Sequence, residues 1–267
     1  MSELEIRRVV IACDAAADIR LAVDEAAAFA AQWRALLHGI YFEDENLYRL
    51  AELDVARHVT LSAANEPGAA AGETLKQMLP AFAAGMKRAL ESAAVQHRLR
   101  WSFGIQRVLP SAPVFREIAG DILIVEAGVR PFSGAWRPRS RWQSNALDAQ
   151  GTVLLKRRRG GRRGAVTVVP RDPAAYERLL SAAFTMAAPE DEVVILSPDR
   201  RVEGSAERLA ANRNHKFRVE PLPGDIDELL KHVATLDPSL LVLSATEAEP
   251  ALRALAEGTQ CDLLLVK

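Results

Sequence analysis

The chain has 267 residues and a formal net charge of −1, with 49% hydrophobic and 26% charged residues. These are values of an ordinary globular protein with one or two domains. No apolar run approaches the ~20 residues of a membrane span, the N-terminus lacks a signal-peptide segment, and the two cysteines have no metal-ligand spacing. We therefore expect a cytoplasmic protein without a membrane segment.

In the first part of the chain, short apolar runs alternate with helices that carry one apolar face. One such face, with apolar residues three and four positions apart, extends from Ile19 to Trp33. The other predicted helices are Asn46–Val59, Thr74–His97 and Val114–Ala119. The predicted strands are Val9–Ala12, Leu36–Phe42, Trp101–Leu109, Asp121–Val125 and Thr152–Leu155.

The second part of the chain repeats this order. Its predicted strands are Val166–Val169, Glu192–Leu196, Phe217–Leu222, Leu240–Leu243 and Leu263–Val266, and its helices are Ala174–Ala188, Ser205–Asn212, Asp225–Leu236 and Pro250–Glu257. Continuous apolar strands that alternate with amphipathic helices are typical of parallel sheets covered on both faces. We therefore predict an α/β fold of two tandem, doubly wound, five-stranded parallel sheets. The first repeat covers residues 1–159 and the second, shorter repeat covers residues 160–267.

The ordered repetition and three local sequences resemble the tandem universal stress protein family. The first strand ends in Asp14 before an alanine-rich helix, Pro223–Leu230 resembles the start of the third helix, and Thr259–Val266 resembles the final strand. The resemblance implies an adenine nucleotide alpha hydrolase-like fold and a non-enzymatic role in stress adaptation through ligand or partner binding. Two copies in one chain would mimic the homodimer of single-copy relatives, and a homodimer of whole chains stays open.

Nucleotide-binding members of that family carry Gly-x2-Gly-x9-Gly-Ser/Thr after the fourth strand, where backbone N–H groups close on phosphates. If Gly151-Thr152 ended this motif, glycines would be needed where the sequence has Pro138 and Arg141. After Leu243 no glycine precedes Gly258, and two acids, Glu247 and Glu249, would repel a triphosphate. We therefore expect no cofactor, and at most weak binding of ATP or AMP in the first repeat.

The candidate ligand site lies in the first repeat, where parallel strands end beside the switch in strand order. Its predicted residues are Ala12, Asp14, Ile40, Gly128, Arg130 and Arg137. Asp14 matches the family position near the nucleotide sugar, although an Asp at a strand end also serves as a helix N-cap. The arginines suit an anion, but a solvated loop is the simpler interpretation.

The region Arg130–Arg163 contains ten Arg or Lys residues and one acid. It could dock an acidic partner or RNA, with Trp136 and Trp142 as stacking residues, but a basic linker is the default and nucleic acid is not favoured. Glu43-Asp44-Glu45 is interpreted as a solvated turn rather than a cation site. The five histidines have no metal-site spacing, and we predict no metal, no nucleophile–base pair and no enzyme.

Overall fold

The computed structural model describes residues 6–14, 19–51, 71–109, 121–126, 149–157, 164–246 and 249–267. The chain divides into two compact units. The smaller unit comprises Arg7–Val114 and Ser140–Asn145, and the larger unit comprises Met1–Ile6, Phe115–Arg139 and Ala146–Lys267. The predicted boundary between residues 159 and 160 lies outside the described residues and stays a prediction.

Apolar runs become buried strands, and the amphipathic segments between them become helices. The strands are β1 (Arg8–Cys13), β2 (Leu36–Asp44), β3 (Trp101–Val108), β4 (Ile122–Glu126), β5 (Thr152–Lys156), β6 (Val166–Val169), β7 (Glu192–Ser197), β8 (Lys216–Pro221), β9 (Leu240–Ser244) and β10 (Asp262–Val266). The helices are α1 (Ile19–Trp33), α2 (Glu45–Ala51), α3 (Ala71–His97), α4 (Tyr176–Met186), α5 (Val202–Arg213), α6 (Ile226–Leu236) and α7 (Glu249–Gly258).

In the smaller unit, three parallel strands lie in the order β3-β2-β1. Both α1 and α3 pack on this group and on each other, and fully buried Met86 and Leu90 belong to α3. Gly39 of β2 lies directly beneath Leu90, where an added Cβ would overlap with the Leu90 Cδ1 atom. The close packing of α3 on β2 therefore requires a residue without a side chain at position 39.

In the larger unit, seven strands are hydrogen-bonded in the order β4-β5-β10-β9-β6-β7-β8. Helices α4 and α5 pack together, as do α6 and α7. The second repeat alone has the order β10-β9-β6-β7-β8, so its first strand, β6, lies between its second and fourth strands. This order places a topological switch between β6 and β9. Asp225 caps α6, because its Oδ1 accepts a 2.7 Å hydrogen bond from the Glu228 N–H.

The α/β class with predominantly parallel strands is confirmed. The expectation of two separate sheets is wrong in one respect, because β5 of the first repeat pairs antiparallel with β10 of the second repeat. Leu155, Leu154 and Val153 face Leu263, Leu264 and Leu265 across this pair, and all six are buried. The two final strands of the repeats are apolar on both faces, and joining them keeps both edges from water.

No helix in the described part of the chain is both long enough and apolar enough to cross a bilayer.

Substituting Gly39 and Gly85 separately tests the packing of α3. We expect Gly39→Ala to lower the free energy of unfolding by ~1–3 kcal/mol, because buried Leu90 must move to admit the new methyl group. Gly85→Ala is the control, since an added Cβ there meets no atom within 4 Å. It should raise stability by ~0.5–1 kcal/mol through helix propensity. Urea unfolding measures both, and equal stability of the two variants would contradict this packing.

Candidate functional site

Three parallel strands of the smaller unit end at one edge of their sheet. The register sets Cys13 beside Tyr41, and Glu43 beside Arg107. Asp14 follows the last residue of β1, and α2 begins directly after β2. Because the carboxyl ends of parallel strands meet at one edge, these elements form a group of polar side chains. We call Asp14, Tyr41, Glu43, Tyr48 and Arg107 the strand-end cluster.

The centre of the strand-end cluster is the carboxylate of Glu43, which is 7% exposed. Arg107 donates two hydrogen bonds of 3.2 Å, from Nε and Nη2, to the Glu43 Oε2 atom. The same guanidinium lies over the Tyr48 ring, with Cζ 3.7 Å from the ring centroid. A buried carboxylate needs such a partner. The pair therefore connects the ends of β2 and β3 to α2.

The two tyrosines of the cluster experience a negative environment. Burial, followed by the charges of Asp14 and Glu43, raises the pKa of the Tyr41 phenol. Burial and the hydrogen bond to Glu43 raise the pKa of Tyr48, against the lowering effect of Arg107. Both phenols therefore stay protonated at neutral pH and can donate a hydrogen bond. Tyr41 is 1% exposed and Glu43 is paired with Arg107, so the half-buried Asp14 is the acid of the cluster that is most open to solvent.

Half of the predicted ligand site lies within the described residues. Ala12 is 7% and Ile40 4% exposed, and the register pairs them with each other on neighbouring strands. Asp14 is half-buried at the end of β1, close enough to influence Tyr41. The remaining predicted residues, Gly128, Arg130 and Arg137, lie outside the described residues, so this half of the site stays a prediction.

The interpretation of Glu43-Asp44-Glu45 as a solvated turn is wrong for Glu43, which belongs to β2 and is buried. The other two acids have local roles: Asp44 Oδ1 accepts a 2.8 Å hydrogen bond from the Asn46 N–H, and Glu45 forms an ion pair with Arg49. The counter-charge of Glu43 is 64 residues away along the chain.

Ser102 and His38 form a contact that the sequence did not indicate. His38 Nδ1 and Ser102 Oγ are 2.7 Å apart on neighbouring strands. Burial, together with the charge of Arg8, lowers the pKa of His38. A general base must accept a proton and become an imidazolium, and the nearby guanidinium opposes that step. The pair has the spacing of a nucleophile and its base, but its electrostatics favour a neutral structural histidine.

At the switch point of the second repeat, polar groups in the turns after β9 and β6 form hydrogen bonds within their own turns. After β9, Ser244 Oγ and Thr246 Oγ1 are 2.7 Å apart, and the Thr246 N–H donates to Ser244 Oγ at 3.3 Å. After β6, Asp172 accepts a 2.9 Å bond from the Ala174 N–H and caps a 3₁₀ turn. The amide that a glycine loop would offer to phosphate is therefore engaged at position 246. Glu247 lies outside the described residues.

The basic bridge Lys156–Arg163 is described only at its start. Lys156 Nζ donates to Asp262 Oδ2 at 2.6 Å, and the Arg157 N–H donates to Asp262 Oδ1 at 2.7 Å. These two residues therefore bind β10. Neighbouring Cys261 is buried, and burial raises the pKa of its thiol to about 11, so it is protonated and unreactive at neutral pH. Among the described residues, no group of three or more His, Cys, Asp or Glu side chains is arranged for a metal ion.

Solved structures share this architecture over almost the whole chain. A protein from Pseudomonas aeruginosa assigned to the universal stress proteins superposes with a TM-score of 0.57 at 13% identity, covering 99% of this chain and 94% of that one. A universal stress protein from Archaeoglobus fulgidus superposes with a TM-score of 0.61 at 9% identity, covering 99% and 97%. The chain has a universal stress protein fold.

A functionally unknown protein from Pseudomonas aeruginosa is similar in structure to the same degree, with a TM-score of 0.56, 13% identity and coverage of 99% and 94%. No family model matches the chain, and no curated protein matches it significantly in sequence. At these identities the likeness concerns the fold. The predicted resemblance is therefore confirmed for the universal stress fold, whereas the residues of any site have to be judged from this chain alone.

The Glu43–Arg107 pair can be tested by unfolding. We expect Arg107→Met to lower the urea midpoint, because the buried Glu43 carboxylate loses the cation that pairs with it. Adding Glu43→Gln should recover at least half of this loss, because the remaining side chain is neutral. Arg49→Met is the matched control, since its ion pair with Glu45 is exposed and contributes little. A double variant less stable than Arg107→Met would contradict the pairing.

Proposed function

We propose that this chain is a tandem universal-stress-type protein of the cytoplasm that acts in stress adaptation, without catalysis, by binding a small molecule or a partner. This proposal rests on the turn after β9, where Ser244 Oγ accepts a hydrogen bond from the Thr246 N–H. In a nucleotide-binding turn, free amides close on phosphates. The sequence has no glycine between Leu243 and Gly258, and the described Thr246 amide is engaged, so we assign the second repeat a structural role.

Ligand binding is assigned to the first repeat. Asp14 is half-buried at the end of β1, next to the negative environment around Tyr41. A carboxylate there suits hydroxyl groups or a cationic group, since it accepts hydrogen bonds and donates none. Arg107 is held by Glu43, so an anion would depend on Arg130 and Arg137 from the sequence-predicted loop. This arrangement favours a polar ligand that places its hydroxyl groups at Asp14.

A binding role is favoured over catalysis by the surroundings of His38. Burial and the charge of Arg8 lower the pKa of His38, and both oppose its use as the base of Ser102. A general base of this kind is normally oriented by a third group that stabilises the imidazolium. Arg8 is a cation and would destabilise the imidazolium.

The alternative function is a nucleotide sensor that binds ATP or AMP in the first repeat only. The position of Asp14 at the end of β1 favours it, because the resemblance places this carboxylate near a ribose. A docking role of Arg130–Arg163 toward an acidic partner or RNA is less favoured, because Lys156 already binds Asp262.

The experiment is native mass spectrometry of the freshly purified chain, followed by titration calorimetry with the small molecule found and with Mg-ATP and AMP. We expect Asp14→Asn to weaken binding of the co-purified molecule at least tenfold. Asp172→Asn, at the corresponding strand end of the second repeat, should leave the affinity unchanged. ATP and AMP should bind with dissociation constants above ~0.1 mM.

Two results would overturn the proposal. A nucleotide dissociation constant near ~1 μM that depends on Asp14 would select the sensor instead. Turnover of ester or phosphoester substrates that disappears in Ser102→Ala, with the fold intact by circular dichroism, would show that the His38–Ser102 pair is catalytic.

A further inference from the structure

The strand β3 ends the strand order of the smaller unit, and its outer edge pairs with no strand among the described residues. Its second half is open to solvent: Ile105 is 52% exposed, and Gln106 and Arg107 are exposed as well. Eight residues long, it is longer than an average strand. An open edge of this length carries a row of unused donors and acceptors and is a template for pairing with another strand.

Along β3, the backbone N–H and C=O groups of successive residues alternate between β2 and the outer edge of the sheet. The Leu37 N–H donates to the Arg100 carbonyl at 3.0 Å. In a parallel pair, alternate residues direct both N–H and C=O to the partner strand, so Ser102, Gly104 and Gln106 face β2. Trp101, Phe103, Ile105 and Arg107 therefore present their N–H and C=O groups to the outer edge. A strand that adds here must form its hydrogen bonds with these four residues.

The other terminal strand, β8, is protected against such pairing. The Leu222 N–H donates to the Ser197 carbonyl at 3.3 Å, so the odd-numbered residues of β8 face outward. One of them is Pro221, which has no N–H to donate. Arg218 and Glu220 add charges to this strand and pair with each other at 2.6 Å. The strand β3 has no proline and a single charged residue, which is already paired with Glu43.

The sequence of β3 is complementary to itself around Gly104. Placing two copies antiparallel about this residue sets Trp101 opposite Arg107, Ser102 opposite Gln106, and Phe103 opposite Ile105. The aromatic–aliphatic pair of Phe103 and Ile105 is a favourable cross-strand combination. Neither of the other two pairs sets like charges opposite each other. The same register sets outward-facing residues against outward-facing residues, as hydrogen bonding requires. It also covers the exposed side chain of Ile105.

Among the described residues, no neighbouring atom requires a glycine at position 104. A Cβ at this position would meet only the His38 Cε1 atom, at 4.0 Å. Within a strand, a glycine without such a requirement often marks the close approach of another backbone. Opposite residues without hydrogen bonds in an antiparallel pair have Cα atoms only ~4.5 Å apart. On a two-fold axis, two Gly104 residues meet at this short distance without side chains between them.

Repulsion between the two Arg107 residues does not oppose the antiparallel pairing of two β3 strands. The Glu43 carboxylate offsets the charge of Arg107 in each copy. The two Arg107 Cα atoms would be separated by the length of six residues, roughly 20 Å, which exceeds the ~8 Å screening length at physiological salt.

We propose that the outer edge of β3 binds the same edge of a second copy of this chain, antiparallel and centred on Gly104. This homodimer interface is independent of the ligand proposed above and leaves the strand-end cluster of each copy with its internal contacts.

The test is the mass of the intact chain in solution, measured by light scattering over a dilution series. The wild type should have about twice the 29.2 kDa of one chain and dissociate on dilution. Ile105→Pro removes an outward N–H and should give a monomer. Val219→Pro, at an outward-facing position of β8, is the matched control and should stay dimeric. Ile105→Lys is the second disrupting variant, in case Ile105→Pro does not fold by circular dichroism.

Cross-linking tests the register. Gly104→Cys should form a disulfide-linked dimer under mild oxidation, because opposite Cα atoms ~4.5 Å apart lie within disulfide range. Gln106→Cys should not cross-link to itself, because its copies lie roughly 13 Å apart in this register. The native thiols Cys13 and Cys261 are buried and do not interfere. A wild type that is monomeric at every concentration, a dimer that survives both Ile105 variants, or equal cross-linking of both cysteine variants would overturn the proposal.

Discussion

β5 and β10 come from different repeats and pair antiparallel at three backbone positions. All six side chains at these positions are apolar and buried, so separating the strands would expose both to water. Asp262 reinforces the pair, because it accepts hydrogen bonds from the Lys156 ammonium group and from the Arg157 backbone. β4 and β5 therefore belong to the larger unit through this contact, although the chain places them in the first repeat.

The strand ends of the two predicted repeats differ in their side-chain contacts. In the second repeat the switch point is closed by Ser244, Thr246 and Asp172, which bond to their own turns. In the first repeat the strand ends keep Asp14 and two protonated tyrosines at one edge, while Glu43 holds Arg107. The two halves of the chain therefore differ in how the polar groups at their strand ends are engaged.

The sequence predicted those features that are determined locally. Short apolar runs predicted the strands, and apolar residues three and four positions apart predicted the helices, because each pattern depends on neighbouring residues. The missed features depend on distant partners. Glu43 is buried because Arg107 lies 64 residues further on, and β5 meets β10 more than 100 residues away. Local patterns carry no information on such pairings, and a run of three acids suggested solvent where one of them is buried.

We infer that the β5–β10 pair makes β4 and β5 part of one cooperative unit with the second repeat. Amide hydrogen exchange, followed by mass spectrometry at increasing denaturant, measures this directly, because it gives an opening free energy for each segment. We expect peptides covering β5 to open with the same free energy as those covering β9 and β10. Opening of β5 together with β1 and β2, while β10 remains protected, would contradict it.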